Sequence, residues 1–445
     1  MEIYTIGGYN EVGKNMTIVD LGEDAVIFDA GLFLPPIVEL EENQNKKYSE
    51  KILRNVGAIP EDLILERKGI REKVRAILVG HAHLDHLGAL PYIANRYKAD
   101  IVGTPFTVEV LKTLLSEEQE SFRNQIVAIQ PNSSYIIKGK RKQYQVDFIN
   151  ITHSTIQTSL IALHTPEGVV LYANDFKLDN SPILGKKPNY EMIQAIAKEG
   201  VKALIVDSLY AGEEAKTPSE KIARCLLEDV MLTTENKNSG IIITTFSSHI
   251  ARLKSIVDFG KQLNRKIVFL GRSLNKYVSA AERVKMCPFY KDITLASYKN
   301  QVMSSLKKIE RSKKDYLLVC TGHQGEPGSM LDRISTEMLP LKINHNDHVI
   351  FSSKVIPTPI NLANREKLEK RIKKRGARIF TSAHVSGHAA REDLRDFIGM
   401  VQPQHLIPAH GDLQKLSAMT ELATELGYKY GRTVHLMQNL QSVKI

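Results

Sequence analysis

The sequence predicts an α/β protein in which one layered domain is interrupted by a second α/β domain and completed after it. Three observations carry this reading. Short apolar runs such as RAILVG (75–80), GIIITT (240–245) and KIVFLG (266–271) are each followed by a turn and a segment of helical period, the pattern of buried strands covered by helices. The first ~35 residues and the stretch 134–175 instead alternate polar and apolar positions between tight turns, as antiparallel hairpins do. Strand-turn-helix units then repeat from VKALIVDS to HVIFSS, after which ARIFTSAH and QHLIPAHG return to strand ends that carry histidine. The expected division is a first domain over 1–205, an inserted domain over 206–360, and completion of the first over 361–445. The polar stretch from 40 to 52 reads as a mobile surface excursion.

Composition bounds the class. With 445 residues, 42% hydrophobic and 25% charged, the chain is an ordinary folded one and not a disordered one. No apolar run is long enough to span a bilayer and the N-terminus lacks the features of a signal peptide, so no membrane partner and a cytoplasmic location are expected. Cys225, Cys287 and Cys320 are far apart and form no CxxC pair, which excludes a disulfide scaffold and predicts three buried small side chains. The net charge of +10 favours a polyanionic partner without identifying one.

HAHLDH (81–86) concentrates the chemistry. At a strand end, His81 and His83 project the same way and can share one ion, whereas Asp85 and His86 fall at the start of the next helix and point elsewhere. One loop thus offers two half-sites. Completing them takes ligands from distant strand ends, and His153 in NITHST, Asp175 in YAND and His410 in PAHGD all follow apolar runs that hold a ligand rigidly. Taken singly, each reads as a hydrogen-bonded histidine or a turn-capping aspartate; their order behind HAHLDH makes them candidates. His164, His345 and His435 keep the structural reading.

This set resembles the metallo-β-lactamase superfamily. The resemblance implies an αββα sandwich holding two zinc ions, with manganese as an alternative. His81, His83, His153 and Asp175 would hold one ion, and Asp85, His86, Asp175 and His410 the other, with Asp175 shared. Asp29 in VIFDAG matches a buried aspartate that orients the histidine loop. His83 stands where the oxygen-reducing di-iron relatives carry a carboxylate, so hydrolysis is favoured over redox chemistry.

A dinuclear centre serves thioesters, lactams and phosphodiesters alike, so the substrate class comes from downstream residues. VDSLY (Asp207), HVSGHAAREDL (His384, His388) and PAHGD, around an insertion of about 150 residues, resemble the β-CASP group, whose members act on nucleic acids. GGYNEVGKNM, NITHST, NDFKLD, TTFSSH, GRSL, TGHQGEPGSML, HVSGHA and IPAHGD are together similar, in order, to the signatures of the ribonuclease J family over nearly the whole chain. His323 and Asn174 depart from that pattern, where Ser and Gly are usual. The chain stops soon after PAHGD, so the short archaeal type without the C-terminal domain of bacterial members is expected, and a homodimer is left open.

The resemblance implies a zinc-dependent ribonuclease acting on single-stranded RNA, mainly a 5′-to-3′ exonuclease that releases mononucleotides. Asp85 would orient the attacking water, His388 would protonate the departing 3′ oxygen with Asp207 supporting the site, and His384, Ser386 and Gly387 would meet phosphate. Ser247 is expected in a pocket for the RNA 5′ end. Independently, TTFSSH, GRSL and TGHQGEPGS sit at helix entries, where backbone amides attract phosphate, although Ser247 or Ser248 as a simple N-cap needs no ligand. The basic runs at 138–142, 307–314 and 365–378 read first as solvated faces, the last with Leu368 and Ile372 four apart on one helical side. Two alternatives stay: an endoribonuclease of the cleavage-and-polyadenylation type, and a non-catalytic RNA-binding scaffold, which the intact ligand set opposes.

Overall fold

The computed structural model describes residues 1–41, 48–118, 121, 123–356 and 358–445. The centre of the expected surface excursion, 42–47, lies outside the described residues, and its flanks form the helices Leu34–Glu41 and Glu50–Asn55.

In chain order the strands are β1 (Glu2–Gly7), β2 (Met16–Asp20), β3 (Ala25–Phe28), β4 (Val74–Val79), β5 (Asp100–Gly103) and β6 (Ile126–Ala128). Then come β7 (Ser133–Lys138), β8 (Gln143–Asn150), β9 (Ser159–Thr165), β10 (Gly168–Ala173) and β11 (Val201–Asp207). Next are β12 (Ile241–Thr244), β13 (Lys266–Leu270), β14 (Ile293–Ala296), β15 (Tyr316–Cys320), β16 (His348–Phe351) and β17 (Arg378–Phe380). The last are β18 (His405–Ala409) and β19 (Gln441–Lys444).

Among the described residues these strands form three sheets, ordered β19-β1-β2-β3-β4-β5-β6, β18-β11-β10-β9-β8-β7, and β14-β13-β15-β12-β16-β17. Two compact units contain them: residues 1–180, 186–217 and 387–445 in one, residues 181–185 and 218–386 in the other. This corrects the expected limits of the insertion, 206–360. β11 stays in the first unit because it pairs in parallel with β10 and β18, from Ala203↔His405 to Asp207↔Ala409. β17 stays in the second because it pairs with β16, His348↔Arg378 to Ile350↔Phe380. Strand partnership, which no local pattern announces, sets both limits.

The first unit is a four-layer sandwich. Its hairpins are antiparallel, β1–β2–β3 in one sheet and β7–β8–β9–β10 in the other. Val170 and Tyr172 of β10 face Phe28, Leu78 and Val19 of the first sheet, while Val169, Leu171 and Ala173 face Phe397, Ile398 and Met419 of the outer helices. This period-two division of one strand between two cores is what an apolar run buried on both faces requires. The helix Pro105–Glu118 packs on β5 and β6 at the opposite surface. The second unit is a parallel sheet throughout, with Ile241 opposite both Leu317 and His348.

Cys287 and Cys320 are buried as expected, but Cys225 is exposed on the helix Glu220–Glu228, whose buried face is formed by Glu220, Ala223 and Leu227. No helix among the described residues is long and apolar enough to cross a membrane.

Candidate metal centre

The candidate ligands and the residues that support them stand just beyond the C-terminal ends of strands: Asp29 after β3, His81 after β4, His153 after β8, Asp175 after β10, and His410 after β18, with Asp207 closing β11. β3 and β4 run parallel, as do β10, β11 and β18, so their C-terminal ends align and side chains distant in sequence converge. Asp29, Asp175 and His410 all take left-handed backbone, with φ of 58°, 56° and 59°. Non-glycine residues adopt that conformation at a cost, which the surrounding sheet must enforce.

Two groups of four donors result, and Asp175, Asp207 and His388 form a third group of three. In the first, His81 Nε2 lies 3.1 Å from His83 Nδ1 and 3.4 Å from Asp175 Oδ2, and His153 Nε2 lies 3.2 Å from His83 Nδ1 and 3.6 Å from Asp175 Oδ2. In the second, His86 Nε2 lies 3.2 Å from Asp175 Oδ1 and 3.5 Å from Asp85 Oδ2, and His410 Nε2 lies 3.5 and 3.9 Å from the same two oxygens. A tetrahedral ion with ligands at about 2.0–2.1 Å places those ligands about 3.3 Å apart, so both groups fit a cation of zinc's size. Asp175 turns one oxygen to each group. Only 1% exposed, its Oδ1 accepts no hydrogen bond among the described residues, an expensive state for a buried carboxylate unless a cation stands there.

In the first group the electrostatics agree. Burial pushes His81 down to about 3 and His83 down to about 4, and burial also lowers His153 well below the ordinary range, which leaves the neutral imidazoles that a metal requires. Burial likewise opposes charge on His86, but the carboxylates of Asp175, Asp85 and Asp29 outweigh it and hold that ring above its ordinary value.

His86, His153 and His388 are oriented from behind. Asp29 Oδ2 accepts from His86 Nδ1 at 2.7 Å and its Oδ1 accepts from Gly80 N at 3.0 Å, so Asp29 ties the histidine loop to β3. His153 Nδ1 donates to the Gly387 carbonyl at 2.7 Å. Gly387, expected to meet phosphate, thus uses its carbonyl to fix a histidine, and a Cβ there would come within 3.1 Å of His153 Cε1 and Ser154 Cβ. His388 Nδ1 lies 2.7 Å from Asp207 Oδ2, while its Nε2 lies 3.9 Å from Asp175 Oδ2. Burial disfavours the charged ring, yet Asp207 and Asp175 raise His388 to about 9.

Residues 9–194 match the family described as metallo-beta-lactamase superfamily, 238–373 match ribonuclease J, beta-CASP domain, and 372–436 match Zn-dependent metallo-hydrolase RNA specificity domain. Ribonuclease J of Methanocaldococcus jannaschii is 42% identical, with 99% of this chain and 98% of that protein covered. The chain belongs to the ribonuclease J family. Its likeness to ribonuclease J of Pyrococcus abyssi is 41% over 100% of this chain and 97% of that one; for Helicobacter pylori (strain 26695) it is 27%, over 100% and 61%. A crystal structure of a protein of unknown function from Enterococcus faecalis V583 shares the fold, with a TM-score of 0.64, 16% identity and 99% of each chain covered. As a ribonuclease J family member, the protein is a metal-dependent, RNA-binding hydrolase.

The remaining candidates of this ribonuclease lie in the second unit, where Ser247, His384 and Ser386 are half-buried in loops. The helix Ile250–Gln262 takes its N-cap from His249, so neither Ser247 nor Ser248 caps it. Behind His384 stands Arg252, fully buried, gripping Glu220 with Nε at 2.5 Å and Nη2 at 2.8 Å. Its Nη1 donates to Ser352 O, to Ala383 O and to His384 Nδ1, the last at 3.3 Å. Arginine can only donate, so a His384 Nδ1 that accepts from it would leave the ring proton on Nε2. The sequence reading missed Arg252 and Glu220, and it missed Asn15, whose carboxamide reaches both His86 and His410. Asn15 sat within the quoted GGYNEVGKNM, the one signal for it. In the basic run 365–378, Arg365 is buried and stacks on Phe351, and Leu368 and Ile372 are buried on the inner side of the helix Pro359–Lys374.

Proposed function

We propose that this ribonuclease degrades single-stranded RNA from the 5′ end, releasing mononucleotides, with two zinc ions as its metals. The observation that carries the two-ion reading is Asp175, whose two carboxylate oxygens face separate groups of three further donors. His81, His83 and His153 take one ion with Asp175, and Asp85, His86 and His410 take the other. When bound, the pair supplies water activated at neutral pH and positive charge for the phosphoryl oxygens.

The chain's own residues do the rest. Asp85, at 22% the most exposed carboxylate of the ligand set, orients the attacking water against the phosphorus. His388 gives a proton from Nε2 to the departing 3′ oxygen, because Asp207 holds the ring by Nδ1 and turns Nε2 toward Asp175. The Nε2–H of His384 is a donor suited to a phosphate oxygen, as is the hydroxyl of Ser386. Ser247 is assigned to the 5′-terminal phosphate.

The test is cleavage of 5′- and 3′-labelled RNA by zinc-loaded protein, alongside a circular RNA. Mononucleotides appearing first from the 5′ end, with circles resistant, are the expected result; rapid cutting of circles means an endonuclease. His83→Ala abolishes hydrolysis, and a variant as active as the parent would refute the catalytic assignment. Manganese replaces zinc in the reading if only manganese-loaded protein turns over.

A further inference from the structure

Asn174 departs from the pattern that the sequence resembles, and the structure gives it two partners. Its Nδ2 donates to Asn15 Oδ1 at 3.1 Å and to the Tyr172 hydroxyl at 3.0 Å. Tyr172 in turn donates to Asp29 Oδ2 at 2.8 Å, the same oxygen that accepts from His86 Nδ1 at 2.7 Å. On the other side, His410 Nδ1 lies 3.1 Å from Asn15 Oδ1 and 2.9 Å from Asn15 Nδ2, and Asn15 Nδ2 lies 3.1 Å from His86 Nε2. Asn15, Asn174, Tyr172 and Asp29 are all buried.

We propose that Asn174 is a positioning residue that ties His86 and His410 into one hydrogen-bonded chain and so selects the ring tautomers that hold the second metal ion. The proposal rests on the two-ion reading above. Asn15 Nδ2 spends one hydrogen on Asp85 O at 3.0 Å, and the donor count is then satisfied by one direction of bonding. Asn174 spends both hydrogens of its amide, one on each neighbour, which makes Asn15 Oδ1 and the Tyr172 oxygen acceptors. Tyr172 then has its own hydrogen for Asp29, and Asp29 Oδ2 has room for His86. Asn15 Oδ1 accepts from His410 Nδ1. In that direction both histidines carry their proton on Nδ1 and present the Nε2 lone pair to the side where Asp85 and Asp175 stand. Asn174 Oδ1 has no partner among the described residues, so the residue contributes through its two donors alone. A glycine would leave Asn15 free to rotate its amide, and the Nδ2 of a rotated amide cannot accept from His410.

Partners that orient a metal-bound histidine typically set affinity by about 10- to 100-fold. The experiment loads parent protein, Asn174→Ala, Asn174→Gly and Tyr172→Phe with zinc, dialyses each against graded chelator and counts the bound zinc. The parent is expected to hold two ions. Both Asn174 variants are expected to keep one ion at parental affinity and to bind the other about 10- to 100-fold more weakly. A general loosening of the fold would weaken both ions alike, and that result, or two ions at unchanged affinity, overturns the proposal. If neither Asn174 variant folds, Tyr172→Phe decides, since it breaks the chain without removing Asn174; unchanged affinity for both ions then overturns it. A parent that holds fewer than two ions refutes the two-ion reading and this proposal together, whereas a two-ion parent with indifferent variants refutes only this one.

Discussion

Replacing Asp207 with asparagine isolates the support behind His388. Asp207 is buried, and its Oδ2 lies 2.7 Å from His388 Nδ1, while its Oδ1 accepts from Leu209 N at 2.9 Å. Asparagine keeps the shape and one acceptor but removes the charge that favours a protonated ring, and it can turn an amide hydrogen toward Nδ1. A hydrogen bond to a charged group contributes about 1.5–3 kcal/mol. If that support keeps the ring protonated and turned so that Nε2 holds the proton for the 3′ oxygen, its loss leaves less of the competent donor, and at about 1.4 kcal/mol per decade the rate falls roughly 10- to 150-fold. Asp207 belongs to neither four-donor group, only to the three-donor group with Asp175 and His388, so metal content is expected to stay at the parental value. Single-turnover cleavage of end-labelled RNA, with zinc counted on the same sample, measures both. A rate within twofold of the parent would refute the assignment of His388 as proton donor supported by Asp207. A loss of rate with an equal loss of metal would mean that Asp207 serves the metal centre itself.

Gly31→Ala should disable the metal loop, because a Cβ at residue 31 would stand 1.6 Å from the Asp85 carbonyl oxygen and 2.1 Å from its carbon, both backbone. Zinc retention by the folded variant is the measurement, and parental retention would show that the loop tolerates the shift. In the second unit, Arg252→Met leaves Glu220 buried without its bidentate partner and costs about 3–5 kcal/mol, while Arg252→Met with Glu220→Gln recovers much of that. Thermal melts of the three proteins test it, and a double variant no better than the single one would contradict the ion-pair argument. His164 bonds Asp147 first and Glu199 second, against an opposing burial penalty, and its pKa is raised above the ordinary 6.5. The folded state therefore binds the proton more tightly than the unfolded state, so this stabilisation is complete below about pH 6.5 and fades as pH rises through the raised value. The melting difference between parent and His164→Gln should be largest at acid pH and shrink on going alkaline; a difference that grows with pH would reverse the sign of the argument.

Much of the metal centre was legible because its chemistry depends on residue type and short-range order. Three histidines and an aspartate at fixed offsets behind an apolar strand, then single ligands behind later strands, are visible without coordinates, and Asp29, His388 and Asp207 followed from the same resemblance. The layered α/β class and both sets of antiparallel hairpins were legible too, since burial on one face or two writes its period into the strand.

Nonlocal pairing decided the rest. The return to the first unit at Gly387 depends on β17 bonding to β16, and three residues of ordinary sequence do not declare a partner. Asn15 and His410 are hydrogen-bonded across 395 positions, and Arg252 reaches His384 across 132. A polar side chain can show in sequence that it offers donors and acceptors, but which group satisfies them is fixed only when the sheets align their strand ends. By itself, the sequence determined which residues could hold metal and which enzyme family they serve. The tertiary structure determined that Asp175 faces two donor groups at once and that a buried chain of four side chains links His86 to His410, because both are properties of distances that the fold alone creates.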